Sequence, residues 1–183
     1  MKRICVFCGS STGTLPIYAD SARQLGRHMA NRNLGLVFGG GHIGLMGVLA
    51  DAVLEGGGQV WGVIPQALVD KELAHGGVTH LHVVSTMHER KALMANLADG
   101  FAALPGGFGT ADELFEMLTW AQLGIHSKPT AILNVDGFFG PLLAWLDVTV
   151  RAGFLDDGQR KLLLEAHDPG TLLDALVRCM PPA

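Results

Sequence analysis

Short apolar, often β-branched runs alternate along the chain with longer segments in which apolar residues recur every three or four positions. The runs are "RICVFC", "LGLVF", "QVWGVI", "HLHVV", "FAAL" and "TAILNV". Between them the spacing predicts helices over residues 16–31, 43–55, 87–98 and 111–123. In the first, Pro16 suits the opening helical position, and Ile17, Ala22, Leu25 and Met29 fall at helical spacing. Near-continuous apolar strands joined by helices predict an α/β fold, a doubly wound, mainly parallel and Rossmann-like sheet flanked by helices. The expectation is a single domain over residues 1–183. Its last part, about 138–183, should supply closing helices that pack and carry little chemistry.

In such a fold ligands lie beyond the carboxyl ends of the strands, where helix N-termini turn unpaired N–H groups toward an anion. Four segments fall there. They are "CGSS" with Gly9 and Ser10, "GGGHIGLMG" with Gly41, "STMHERK" with Met87, Arg90 and Lys91, and "PGGFGT" with Gly107, Phe108, Gly109 and Thr110. Gly39, Gly41 and Gly44 match the dinucleotide fingerprint, but the next strand ends "GVIP" without the acid that would hold a ribose. That disfavours NAD and leaves a mononucleotide open, as it leaves open that these glycines serve only close packing.

"PGGFGT" offers a loop without side chains at Gly106, Gly107 and Gly109, able to close its N–H groups on a phosphate. No Gly-Lys-Ser/Thr follows, so triphosphate hydrolysis is not supported. Glu113 has two readings. Thr110-x-x-Glu113 fits a capping box, in which the glutamate serves only the helix start; alternatively, an acid beside a phosphate loop is there for a reacting atom. "STMHERK" sets Arg90 and Lys91 near the positive end of a helix dipole, which becomes favourable with an anion in front. The competing reading has Glu89 and solvent compensating both cations.

Composition narrows the field. At 183 residues and 49% hydrophobic the chain can bury a sizeable core. A net charge of -4 argues against a nucleic-acid partner, which needs a basic stripe. No apolar run approaches the roughly 18 residues of a membrane span, and the three cysteines fit a reducing compartment, so a cytoplasmic location is expected. Cys5 and Cys8 stand three apart in a strand and should face opposite sides. The eight histidines form no H-E-x-x-H pair, and no metal or cofactor is expected. The helix from Ala111 is apolar nearly all round, with Leu114, Met117, Leu118 and Ala121 on one side and Phe115 and Trp120 on others. It buries more than one face, against the closing helices or a second subunit.

"GGGHIGLMG", "MHERK" and "PGGFGTADE", in this order and spacing, resemble the Lonely Guy family of cytokinin-activating phosphoribohydrolases, whose signature is P-G-G-x-G-T-x-x-E. The likeness runs from Ile4 to about Phe154. It implies hydrolysis of the N-glycosidic bond of a nucleoside 5′-monophosphate, an N6-prenylated adenine nucleotide or AMP, to free base and ribose 5-phosphate. It implies Arg90 and Glu113 as the catalytic pair, with Glu72, Lys91, Gly107 to Thr110 and Thr119 contacting substrate, and a homodimer or larger homo-oligomer. Two rivals remain: a nucleotide-binding or carrier module without catalysis, and a decarboxylase using pyridoxal phosphate, a label attached to similar sequences. On the phosphoribohydrolase reading Glu113→Gln should abolish base release and leave the melting temperature almost unchanged.

Overall fold

The computed structural model describes residues 1–71 and 73–180. In chain order its elements are β1 (Arg3–Phe7), α1 (Pro16–Asn31), β2 (Gly35–Phe38), α2 (Gly44–Glu55), β3 (Val60–Pro65), α3 (Gln66–Val69), β4 (His80–Val84) and α4 (Met87–Leu97). There follow β5 (Gly100–Ala103), α5 (Phe108–Gln122), β6 (Thr130–Leu133), a 3-10 turn over Val135–Gly137, α6 (Gly140–Arg151), α7 (Asp157–Arg160), β7 (Leu163–Ala166) and α8 (Pro169–Cys179). The seven strands form one sheet in the order β4-β3-β2-β1-β5-β6-β7, and every neighbouring pair is parallel.

Both sheet faces are covered, which is why the central strands read as unbroken apolar runs. Ile4, Val6, Leu36 and Phe38 pack on one face against α1, α2 and α8, through Leu25, Leu49 and Leu172. Cys5, Phe7, Val37 and Phe101 pack on the other against α4, α5 and α6, through Met94, Leu114 and Leu146. Cys5 and Cys8 thus lie on opposite faces. Each fully buried Leu or Phe contributes roughly 1.5–3 kcal/mol.

The tail departs from the expectation of helices alone. Leu163–Ala166 is a strand that continues the sheet beside β6, pairing Thr130 with Leu163 and Leu133 with Ala166. "LLEA" is built of good helix formers, and pairing with an open sheet edge overrides that preference.

The strand order reverses between β1 and β5, so the loops leaving them diverge and open a crevice at their carboxyl ends. The loops are tied across it by Gly9 N–H donating to the Pro105 carbonyl at 3.1 Å. The loop after β2 is held close by Leu45 N–H donating to the Gly9 carbonyl at 3.0 Å. Gly44 makes this approach possible. Its φ is +62°, and a Cβ there would run into the Ser10 backbone.

Candidate active site

A cavity of about 370 Å³ occupies the crevice, lined by Gly9 and Ser10 after β1, Gly39 and Gly41 after β2, Arg90 of α4, and Gly107 to Thr110 and Glu113 of the α5 region. Helix α5 begins at Phe108, three residues ahead of the expected start, with Gly107 as its N-cap and no side-chain cap. Its first main-chain bond there is Ala111 N–H to the Gly107 carbonyl, 3.1 Å. The N–H groups of Phe108, Gly109 and Thr110 therefore precede the helical ladder, and a Cβ on Gly107 or Gly109 would meet nothing within 4 Å. This open, uncapped helix start is suited to a phosphoryl group.

The position of the N-cap removes the capping-box reading of Glu113. Thr110 lies inside the first turn, so Thr110 and Glu113 do not form a capping box, and the carboxylate is left to the cavity. Glu113 is buried, and that burial pushes its pKa up to about 7 against the opposing pull of Arg90.

Arg90 is held from two sides. Its Nε donates to the Val63 carbonyl at 3.1 Å and its Nη2 to the Gly39 carbonyl at 3.0 Å, while Nη1 stands 3.6 Å from Glu113 Oε1. A Cβ on Gly39 would collide with Nη2 of Arg90, so any side chain here would displace the guanidinium. Glu89 compensates neither cation of "HERK". Its N–H donates to Thr86 Oγ1 and its carboxylate accepts from Ser85 N–H, capping α4. Lys91 turns away to α5, its Nζ 3.0 Å from Asp112 Oδ2 and 3.2 Å from Glu116 Oε2.

The crevice thus gathers Gly9, Ser10, Gly41, Arg90, Gly107, Phe108, Gly109, Thr110 and Glu113. Met87 lies beside it, its sulfur 3.9 Å from Arg90 Nη1, and is not part of the lining. Thr119 is elsewhere, on a separate groove along α5, and Glu72 lies outside the described residues. Sequence reasoning did not assign a role to the apolar wall formed by Ile43, Met46, Ile64, Leu68 and Leu73. Ile43 and Met46 lie within "GGGHIGLMG" and Ile64 within "GVIP", but those segments were read for their glycines and strand end, and Leu68 and Leu73 carried no signal.

Fold and site together define a doubly wound α/β protein with an anion-ready cavity at its topological switch point. The family model described as "possible lysine decarboxylase" matches residues 46–176. The cytokinin riboside 5'-monophosphate phosphoribohydrolase LOG of Oryza sativa subsp. japonica is 48% identical over 180 residues, 98% of this chain and 74% of that protein. The phosphoribohydrolase LOG2 of Arabidopsis thaliana is 47% identical over 98% of this chain and 84% of its own length. The chain belongs to this family of cytokinin riboside 5'-monophosphate phosphoribohydrolases, the LOG family. Among solved structures, the molybdenum cofactor binding protein of Rippkaea orientalis has a TM-score of 0.73 at 19% identity, covering 97% of each chain. The Moco carrier protein of Chlamydomonas reinhardtii has a TM-score of 0.71 at 22% identity, covering 97% of this chain and 96% of its own. These two share the fold.

The family description raises pyridoxal phosphate, which needs a lysine able to lose its proton and form a Schiff base. The residues do not fit it. No lysine is among the described residues lining the cavity. Burial alone would lower the pKa of Lys91, but hydrogen bonding and charge contact with Asp112 and Glu116 outweigh it and raise the value, holding the amine protonated. Lys128, whose pKa burial lowers, precedes β6 at the opposite edge of the sheet and donates to the Ala95 carbonyl.

Proposed function

We propose that the chain hydrolyses the N-glycosidic bond of a nucleoside 5′-monophosphate, AMP or its N6-prenylated form, to free base and ribose 5-phosphate. The observation that carries this reading is the pairing of an uncapped helix start at Phe108 with a buried carboxylate, Glu113, one turn further along the same helix. In the proposed complex the phosphate takes the N–H groups of Phe108, Gly109 and Thr110, which sets the ribose over Glu113. The apolar wall of Ile43, Met46, Ile64, Leu68 and Leu73 then suits a base that is flat and largely apolar on its faces.

Breaking the ribosyl C–N bond builds positive charge on the sugar, and a carboxylate against that charge lowers the barrier. Such a contact is typically worth about 10² to 10³ in rate. With a pKa of about 7, Glu113 also exchanges protons readily near neutral pH, so it can accept one from the attacking water. Arg90, immobilised by two main-chain carbonyls, keeps enough positive charge near Glu113 to favour its ionised form and can hold ribose or phosphate oxygens.

The same reading includes a homodimer. Phe115, Leu118, Trp145 and Val148 line an apolar groove of about 520 Å³ between α5 and α6, with Thr119 on its wall and Phe154 82% exposed beside it. A second copy covering this groove would give α5 its second buried face. A nucleotide substrate accords with the cytoplasmic location expected from the sequence.

The test is incubation of the purified protein with AMP, N6-prenylated AMP and the matching nucleosides, reading free base and ribose 5-phosphate. Base release from nucleotides and not from nucleosides is expected. Equal cleavage of both would contradict phosphate anchoring, and tight nucleotide binding without release would favour the carrier reading.

A further inference from the structure

We propose that Lys91 is a positioning residue: gripped by Asp112 and Glu116, it locks α4 to α5 and so fixes the placement of Arg90 against Glu113. The inference rests on the phosphoribohydrolase reading above.

Arg90 and Lys91 are neighbours on α4, about 100° apart around its axis, and so point in different directions. Arg90 reaches over the ends of β2 and β3, to Gly39 and Val63. Lys91 reaches α5, where Asp112 and Glu116 are one turn apart and present their carboxylates on one side. Its side chain is 12% exposed, and its Nζ lies 3.0 and 3.3 Å from the two oxygens of Asp112 and 3.2 Å from Glu116 Oε2. Two cross-helix contacts therefore run side by side, Arg90 to Glu113 inside the cavity and Lys91 to Asp112 and Glu116 outside it. A substrate contact would draw the Lys91 ammonium away from the three carboxylate oxygens now within 3.3 Å of it. Glu116 Oε2, buried and with the Lys91 ammonium 3.2 Å away as its polar neighbour, would then lose that cation.

The clamp also shapes the field at Glu113. The groups that face this carboxyl are Arg90 and Lys91 from α4, Asp112 and Glu116 from its own helix, and Cys5 and Cys8 of β1 and the loop after it, whose thiols burial keeps protonated. Arg90 and Lys91 favour the ionised form of Glu113, whereas Asp112 and Glu116 oppose it. Removing the lysine leaves two acids uncompensated beside a third. Removing Asp112 does the reverse.

The experiment has two readouts on wild type, Lys91→Met, Lys91→Arg and Asp112→Asn. The first is the carboxyl carbon titration of Glu113 by NMR in the ligand-free protein. The second is the pH profile of kcat, with KM, for base release from AMP and N6-prenylated AMP. For Lys91→Met the Glu113 midpoint and the acid limb of kcat should rise by about half a pH unit or more. Its kcat should fall about tenfold while KM stays within about twofold. Lys91→Arg should restore most of both, and Asp112→Asn should move the Glu113 midpoint down. If KM rises about tenfold in Lys91→Met while kcat and its pH limb stay as in wild type, Lys91 is a substrate contact and the proposal is overturned. It is equally overturned if the Glu113 midpoint moves in neither Lys91→Met nor Asp112→Asn. Should Lys91→Met fail to fold, Asp112→Asn decides, since Asp112 is largely exposed. A wild type that releases no base from any nucleotide defeats the function reading, and the NMR titration still judges the clamp.

Discussion

Arg90 Nη1 and Glu113 Oε1 stand 3.6 Å apart with both side chains 11% exposed, close enough to feel each other's charge and too far to share a strong hydrogen bond. The guanidinium is anchored by the carbonyls of Gly39 and Val63, so its position does not depend on Glu113. The carboxylate is therefore left with unspent hydrogen-bonding capacity, facing a cavity that opens onto the start of α5. A buried acid without a committed partner is costly to the fold, and it is at functional sites that such costs are kept.

That cost has a sign. Glu113 ionises in the unfolded chain near 4.5 and in the folded protein near 7, so folding favours the protonated form. Its contribution is most favourable below the unfolded value and is lost as pH rises through the folded one. Glu113→Gln should thus nearly match wild type at pH 4 and be more stable at pH 8, by about 3 kcal/mol. Thermal melts at the two pH values check this. It revises the sequence-based expectation of an almost unchanged melting temperature, because that expectation rested on glutamine still serving a capping box, which Glu113 does not form.

Arg90→Met removes the partner of two carbonyls and of one carboxylate. Urea unfolding should reveal a loss of about 1–3 kcal/mol, and the Glu113 midpoint should climb further. Base release should fall by at least about 10².

Two glycines separate binding from catalysis. Gly109→Ala adds a methyl where nothing lies within 4 Å, so the melting temperature should hold while KM for the nucleotide rises, since the methyl crowds the proposed phosphate seat. Gly39→Ala drives a methyl into Nη2 of Arg90, and kcat should drop more than KM changes. Steady-state kinetics beside melting curves distinguish the two.

Trp145 stacks edge-on to Phe115 at 5.9 Å in the groove along α5. If a second copy covers this groove, Trp145→Glu should reduce the mass measured by light scattering to that of one chain. The same mass before and after would remove the groove from the assembly.

Six strands of the sheet, α1, α2, α4 and α5, the closing helices α6 and α8 and the location of the cavity were legible in the sequence, because buried parallel strands and amphipathic helices leave opposite periodicities and ligand loops follow strand ends. The first helix matched residue for residue. β7 was not legible, since Leu163 to Ala166 favour a helix locally and only β6 makes them a strand. The start of α5 was misread by three residues because Gly107 and Gly109 look like loop, and that error alone created a capping box for Glu113. The partners of Lys91 were out of reach of local pattern, as Asp112 and Glu116 are brought to it only by the packing of α4 beside α5.

The most direct test of the account is base release by Glu113→Gln under saturating N6-prenylated AMP, alongside wild type, in protein whose folding has been verified by melting. A folded variant that still binds the nucleotide and frees base at least about 10²-fold more slowly is predicted. Release at the wild-type rate would mean that the carboxylate in the crevice does no chemistry on the sugar.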